Sequence, residues 1–171
     1  MLSATIQTAL AMIYPLRCFT CWDLVNSDFG LCGPCWRDTQ FIGGAICDGC
    51  GVLLIGYSCD GELHCDDCLR TQRPWANGGS EILCNDNGRR IVLGLKHGDL
   101  QDVVRPAPIR MAVVAHDILK PNMLLVPAPL YRTRLLKRRY NQSTLLSKSV
   151  AKHLDLAWCP DALQRFKRTQ A

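Results

Sequence analysis

The sequence predicts an α/β fold preceded by a cysteine-stapled N-terminal region. Three observations carry that reading. Ten of the eleven cysteines fall between Cys18 and Cys84, and eight of those ten form CxxC pairs. From Glu81 onward, helix-period apolar residues surround one short apolar run that prolines stop. Hydrophobic residues make up 48% of the 171 and charged residues 20%, which is the range of a folded chain and argues against disorder throughout. The length allows one ordinary domain, or a small domain plus part of another.

Residues 1–13 are mildly apolar and carry no Lys or Arg. A secretory signal needs a basic start, so this segment is expected to be a short helix packed on the body of the protein. No apolar run approaches the ~18 residues of a membrane span. A cytoplasmic, reducing location follows as an expectation, and it turns the cysteines away from disulfides and toward metal.

Residues 14–73 hold an approximate internal repeat. Cys18/Cys21 pairs with Cys32/Cys35 across a gap of ten residues, and Cys47/Cys50 with Cys65/Cys68 across fourteen. A CxxC turn folds back so that both sulfurs converge on one point, and two such turns complete a closed tetrahedral shell of four thiolates. The spacing therefore predicts two structural zinc ions, one held by Cys18, Cys21, Cys32 and Cys35, the other by Cys47, Cys50, Cys65 and Cys68. Closed sites of this kind contribute folding energy and no chemistry. The alternatives are that one site has decayed or that pairs combine across the repeat. Gly33, Gly49 and Gly51 sit where such turns are expected to need positive φ. Cys59, Cys84 and Cys159 are left over. Cys59 and His64 are near enough in sequence to substitute as ligands of the second site, and Cys159 reads as a buried thiol. No cysteine has a histidine in a recognisable nucleophile–base context. His97 and His153 read as surface or core residues, His153 on the apolar face of its helix.

Residues 74–80, Pro-Trp-Ala-Asn-Gly-Gly-Ser, are rich in breakers and read as a linker or turn. Beyond them, residues 91–95 are expected to be helical and to precede a Lys96-His97-Gly98-Asp99 turn. Residues 106–119 read as a helix with Ile109, Ala112, Val113, His116 and Leu119 near one face. Residues 123–129 read as a buried strand, of the kind found in parallel sheets. Residues 143–154 read as an amphipathic helix with Leu145, Leu146, Val150 and Leu154 on one side and Lys148 and Lys152 on the other.

Charge divides the chain. Residues 1–117 hold nine basic and thirteen acidic residues, a net of −4, whereas residues 118–171 hold eleven and two, a net of +9. The C-terminal third is thus the part expected to meet anions. Its densest stretch, Tyr131-Arg-Thr-Arg-Leu-Leu-Lys-Arg-Arg139, reads as a strand-to-helix loop. In open sheets such loops, with the following helix N-terminus, can cradle phosphate. The alternative is a solvated basic face with Leu135 and Leu136 tucked inward.

These residues together resemble the ComF family. The resemblance rests on the double CxxC pairs, Lys96-His97-Gly98-Asp99, Leu125-Val126-Pro127-Ala128-Pro129-Leu130-Tyr131-Arg132, Arg134-Leu135 and Arg138-Arg139-Tyr140-Asn141-Gln142. It runs from about Tyr14 to Ala171. Many relatives have Gly-Phe before the Asn-Gln, where this chain has Arg-Tyr. The resemblance implies an N-terminal double zinc ribbon followed by the N-terminal part of a type I phosphoribosyltransferase-like domain, and a link with natural competence and the handling of single-stranded DNA. The implied organisation is 1–13, an N-terminal helix; 14–73, the double zinc ribbon; 74–80, a linker; and 81–171, an incomplete phosphoribosyltransferase-like domain. By the same resemblance Arg132, Arg138, Arg139 and Asn141 become candidates for anion or pyrophosphate contacts.

One departure limits the implied activity. Phosphoribosyltransferases hold the sugar phosphate with an apolar strand, two acids and a Thr-Gly loop. Here the adjacent acids Asp66-Asp67 are enclosed by Cys65 and Cys68 and have no Thr-Gly after them. The chain is therefore expected to be a truncated form or gene fragment without transferase turnover, a phosphoribosyl pyrophosphate-like ligand belonging only to a full-length form. The partners left are single-stranded DNA through the basic segment, and a competence-machinery protein docked on the ribbon. Aromatic residues for base stacking are scattered, and the ribbon half is acidic, which favours protein docking there.

Overall fold

The structure is a computed structural model that describes residues 15–25, 30–56, 61–97 and 106–169. The helix expected over 1–13, Cys59 and the Gly98-Asp99 half of the turn expected over 96–99 lie outside the described residues, while Lys96 and His97 are helical rather than part of a turn. The chain divides into two compact units, one containing residues up to 40 together with 84–106, the other containing 41–83 together with 107 onward. The two CxxC quartets therefore fall in different units.

The first unit holds the first quartet, helix α1 (Gly33–Asp38) and helix α3 (Asp86–His97). Pro34 stands in the first turn of α1, where a missing N–H costs nothing, and the Thr39 hydroxyl closes the helix onto the Cys35 carbonyl at 2.7 Å. Helix α3 buries Gly88 and Leu95, seven residues apart and so on one face. It is tied to α1 through Asn87, whose amide donates to the Cys35 carbonyl at 3.3 Å, and through Asn85, whose amide donates to the Gln40 side chain at 2.8 Å.

In the second unit the chain leaves and re-enters the ribbon through an antiparallel bridge between Phe41 and Ile82. Arg110 lies 4.3 Å over the Phe41 ring and pairs with Glu81, locking helix α4 (Ala107–His116) onto that bridge. Helix α2 (Asp66–Arg70) belongs to the ribbon. Strand β1 (Leu124–Leu125), helix α5 (Arg132–Arg138), helix α6 (Gln142–Leu154) and strand β2 (Ala157–Trp158) follow. β1 and β2 pair in parallel, Leu124 with Ala157 and Leu125 with Trp158, and the Cys159 N–H extends the ladder to the Leu125 carbonyl at 3.1 Å. Parallel partners need a long crossover, here residues 126–156 with both helices inside it. Helix α6 packs on α4. The contact is made of small side chains: Pro108 and Ala112 are the buried residues of α4, and Ser147, Val150 and Ala151 those of α6. Trp158 closes one end, its indole N–H donating to the Ser147 hydroxyl at 3.0 Å, which in turn donates to the Thr144 carbonyl at 3.1 Å.

The structure departs from several sequence expectations. The strand at 123–129 is parallel, but only two residues long and not buried, since Leu124 is half exposed. The α4 face is rotated from the one expected: Ile109, Val113 and His116 are exposed while Pro108 is fully buried, because α4 turns its small side chains toward α6. His153 is exposed rather than on the packed face, and the buried centre of α6 is Ser147, Val150 and Ala151. Residues 132–138 form a helix, not a loop; the stretch contains no Gly or Pro and is mostly Arg, Leu and Lys, all good helix formers. Leu135 and Leu136 are exposed rather than tucked inward, and Cys159 is only partly buried.

The segment expected as a linker is packed. The Trp75 indole donates to the Gly49 carbonyl at 2.6 Å, and the Gly78 N–H donates to the Asp48 carbonyl at 2.8 Å. A Cβ on Gly78 would lie 2.9 Å from the Cys50 backbone, and one on Gly79 would lie 2.7 Å from the Val114 side chain of α4. Two glycines thus let this segment lie flat between the second ribbon and α4.

Candidate metal centres and basic segment

The two ribbons repeat each other bond for bond. In each, the N–H four residues after the first cysteine donates to that cysteine's carbonyl: Trp22 to Cys18 at 2.9 Å, Gly51 to Cys47 at 2.7 Å. The residue after that first cysteine donates forward to the chain approaching the second pair, Phe19 to Gly30 and Asp48 to Leu63, both at 2.8 Å. Antiparallel bridges close both turns, Arg17 with Leu24 and Ile46 with Leu53. The second pair of each quartet starts a helix, with Cys32 and Cys65 in nearly identical extended cap conformations. Their N–H groups donate back to the sulfurs of Cys18 and Cys47 at 3.4 and 3.3 Å.

This geometry brings together the two quartets read from the sequence. In each, all four sulfurs lie within 4.8 Å of one another. The shared edges Cys21–Cys32 and Cys50–Cys65 both measure 3.6 Å. A tetrahedron of ~2.3 Å zinc–sulfur bonds has edges of about 3.8 Å. Electrostatics agrees. Burial opposes charge at Cys18, but N–H donors from Cys21 and Cys32 and the Thr20 hydroxyl outweigh it and bring the thiol down to about 5. Burial likewise opposes charge at Cys47, and the N–H groups of Cys65 and Cys50 bring it down to about 6. The Val52 N–H favours a Cys50 thiolate, yet burial and its sulfur neighbours Cys47, Cys65 and Cys68 push it up to about 12. The first thiolate forms readily and the next is opposed, which is the charge pattern a dication between the sulfurs relieves. The quartets fit two structural zinc ions.

Of the three glycines expected to take positive φ, only Gly51 does so, at 73°. Gly33 is helical, and Gly49 serves differently: a Cβ there would lie 3.2 Å from the Cys68 sulfur. Trp22 occupies the position equivalent to Gly51 and takes the same left-handed conformation, φ 65°, which sequence reasoning missed because a bulky residue rarely adopts it. His64 is exposed beside the second quartet, which is complete without it, and Cys84 is exposed.

The basic candidates lie at the corner between α5 and α6. Arg132 opens α5 and is exposed; Arg138 ends it and is partly buried; Arg139 caps it in the left-handed conformation, φ 64°. Arg134 and Arg138, four apart, share a helix face that Arg132 does not. Arg134 donates to the Thr169 carbonyl at 2.7 Å, and Arg165 to the Thr169 hydroxyl at 2.7 Å, a link absent from the sequence reading because it spans thirty-five residues. Asn141 is engaged at both ends. Its Oδ1 accepts from the Ser143 N–H at 3.0 Å as the N-cap of α6, and its Nδ2 donates to the Ala128 carbonyl at 3.0 Å. It therefore fixes α6 against the turn after β1.

Comparison with known proteins agrees with the ribbon geometry. Residues 9–69 match the Double zinc ribbon domain family. The chain is 24% identical over 165 residues to Competence protein F of Haemophilus influenzae (strain ATCC 51907 / DSM 11121 / KW20 / Rd), a match covering 91% of this chain and 68% of that protein. Together these matches support a ComF-family assignment. No solved structure matches the chain. Among the described residues, no helix is long and apolar enough to cross a membrane.

Proposed function

We propose that this chain acts in DNA uptake as a ComF-type protein, with the zinc ribbons as docking modules for a protein partner and the α5–α6 corner as a contact for single-stranded DNA. The match to Competence protein F along nearly the whole chain is the observation that carries this reading. The +9 balance of residues 118–171 supports the DNA contact, since neutralising phosphates releases counterions whatever the base sequence. Arg132 and Arg139 are exposed and are the residues assigned to phosphate, with Arg138 beside them. Asn141 acts through the helix it caps. The reading also predicts no pyrophosphate release from phosphoribosyl pyrophosphate by these 171 residues, because the adjacent acid pair sits in the first turn of α2, inside the second ribbon.

The test is fluorescence anisotropy of a labelled single-stranded oligonucleotide across a salt series. Affinity is expected to fall steeply with salt, and replacing Arg132, Arg138 and Arg139 together by Ala should flatten the log–log slope by about 2. Binding that ignores both salt and the triple substitution would overturn the assignment of the basic corner.

A further inference from the structure

The near-identity of the two ribbons makes their differences informative. Two of those differences are charges placed against a ligand sulfur. Five residues after the first cysteine, the first ribbon has Asp23 where the second has Val52. The Asp23 carboxylate lies 3.3 Å from the Cys21 sulfur. Five residues after the last cysteine, the second ribbon has Arg73 where the first has Gln40. The Arg73 guanidinium donates to the Cys68 sulfur at 3.4 Å, whereas Gln40 is turned to Asn85. Exposure runs the same way: Cys21 is exposed, while every sulfur-bearing residue of the second quartet is buried or partly buried.

A zinc ion held by four thiolates carries a net charge of about −2. A carboxylate against one of those thiolates opposes it, and a guanidinium hydrogen-bonded to one supports it. We infer that the two zinc sites are unequal by construction: the first, Cys18/Cys21/Cys32/Cys35, is the labile site, set so by Asp23, and the second, Cys47/Cys50/Cys65/Cys68, is the retained site, held by Arg73. The consequence is structural. The labile ion belongs to the unit of α1 and α3, and the retained ion to the unit of α4 and α6. Zinc limitation or a chelating environment therefore opens the first ribbon while the second stays folded. This inference is independent of any DNA contact.

The test loads the full chain with two zinc ions and adds excess EDTA, following metal transfer together with hydrogen exchange. Release in two phases of one ion each is expected, separated by about fivefold or more, since a unit charge at this distance is worth about fivefold even in water, and Asp23 and Arg73 lie against ligand sulfurs whereas Asp66 and Asp67 of the second ribbon are exposed to solvent. The fast phase should coincide with lost protection in α1 and α3. Asp23→Asn should slow the fast phase about fivefold and leave the slow one alone; Arg73→Gln should do the reverse, speeding the slow phase. Val52→Asp, which adds the acid to the second ribbon, should bring the two phases closer by speeding the slow one and serves if either other variant folds poorly. A single phase for the unaltered chain, or a fast phase that Asp23→Asn leaves unchanged while α4 and α6 lose protection first, would overturn it.

Discussion

At the scale of the residue, the ribbons show how a backbone requirement is met by different side chains. The turn that closes each knuckle needs a left-handed residue four positions after the first cysteine. Gly51 supplies it without steric cost, and Trp22 supplies it against its preference. Gly51 has a second duty, since a Cβ there would lie 2.8 Å from the Gly79 carbonyl carbon. Gly51→Ala is therefore expected to cost about 2–4 kcal/mol, from the left-handed penalty plus a displaced backbone, read as a lower midpoint in urea at constant zinc. In the metal-free chain the lowered thiols set the acid response. Cys47 and Cys18 have folded values near 6 and 5, below their unfolded value near 9. Their contribution to stability is thus complete above pH 9 and is lost as pH falls through 6 and then 5. Proton uptake with unfolding of the ribbons in that window is the expected result of an acid titration followed by circular dichroism. Flat ellipticity down to pH 4 would contradict it.

At the scale of the element, α6 depends on its cap more than its sequence pattern suggests. Its buried face is made of Ser147, Val150 and Ala151, which bury little apolar area, so terminal hydrogen bonds weigh more. Asn141→Ala removes both the cap to Ser143 and the tie to Ala128. It should destabilise the second unit by about 1–2 kcal/mol, and Asn141→Asp should recover the cap while still missing the tie. Denaturant midpoints of the two variants at unchanged slope decide this. Helix α5 shows the opposite balance. Its residues have high helix propensity, Arg134 ties it to the Thr169 carbonyl, and its Leu135 and Leu136 stay in solvent. Sequence reading missed it because a charge run between a strand and a helix looks like a loop until its propensities are counted.

At the scale of the whole molecule, the second ribbon is built into the C-terminal unit. Trp75, Gly78 and Gly79 join the Cys47–Cys50 knuckle to α4, and Arg110 pins α4 to the bridge that closes the ribbon. Structural zinc supplies of order 10 kcal/mol per site. Replacing Cys47 and Cys50 by Ser should therefore loosen α4 and α6 as well as the ribbon, seen as faster amide exchange across 107–154. Exchange there that stays at the unaltered rate would show the seam to be incidental.

While the geometry settled that the pairs combine within each repeat, the sequence by itself determined the eight CxxC thiols and their zinc chemistry, the parallel character of the strand at 124–125, the existence of α4 and α6, and the basic C-terminal third. Each of these is written in local spacing, in apolar period or in charge, and local chemistry suffices to read it. Only the tertiary structure decided which unit each quartet joins, which face of α4 is buried, that 74–80 is a packed seam, and that Asp23 and Arg73 stand against opposite quartets. Those depend on contacts between residues far apart in the chain, such as Trp75 with Gly49 and Gly79 with Val114, and a one-dimensional pattern carries no record of which distant surfaces meet.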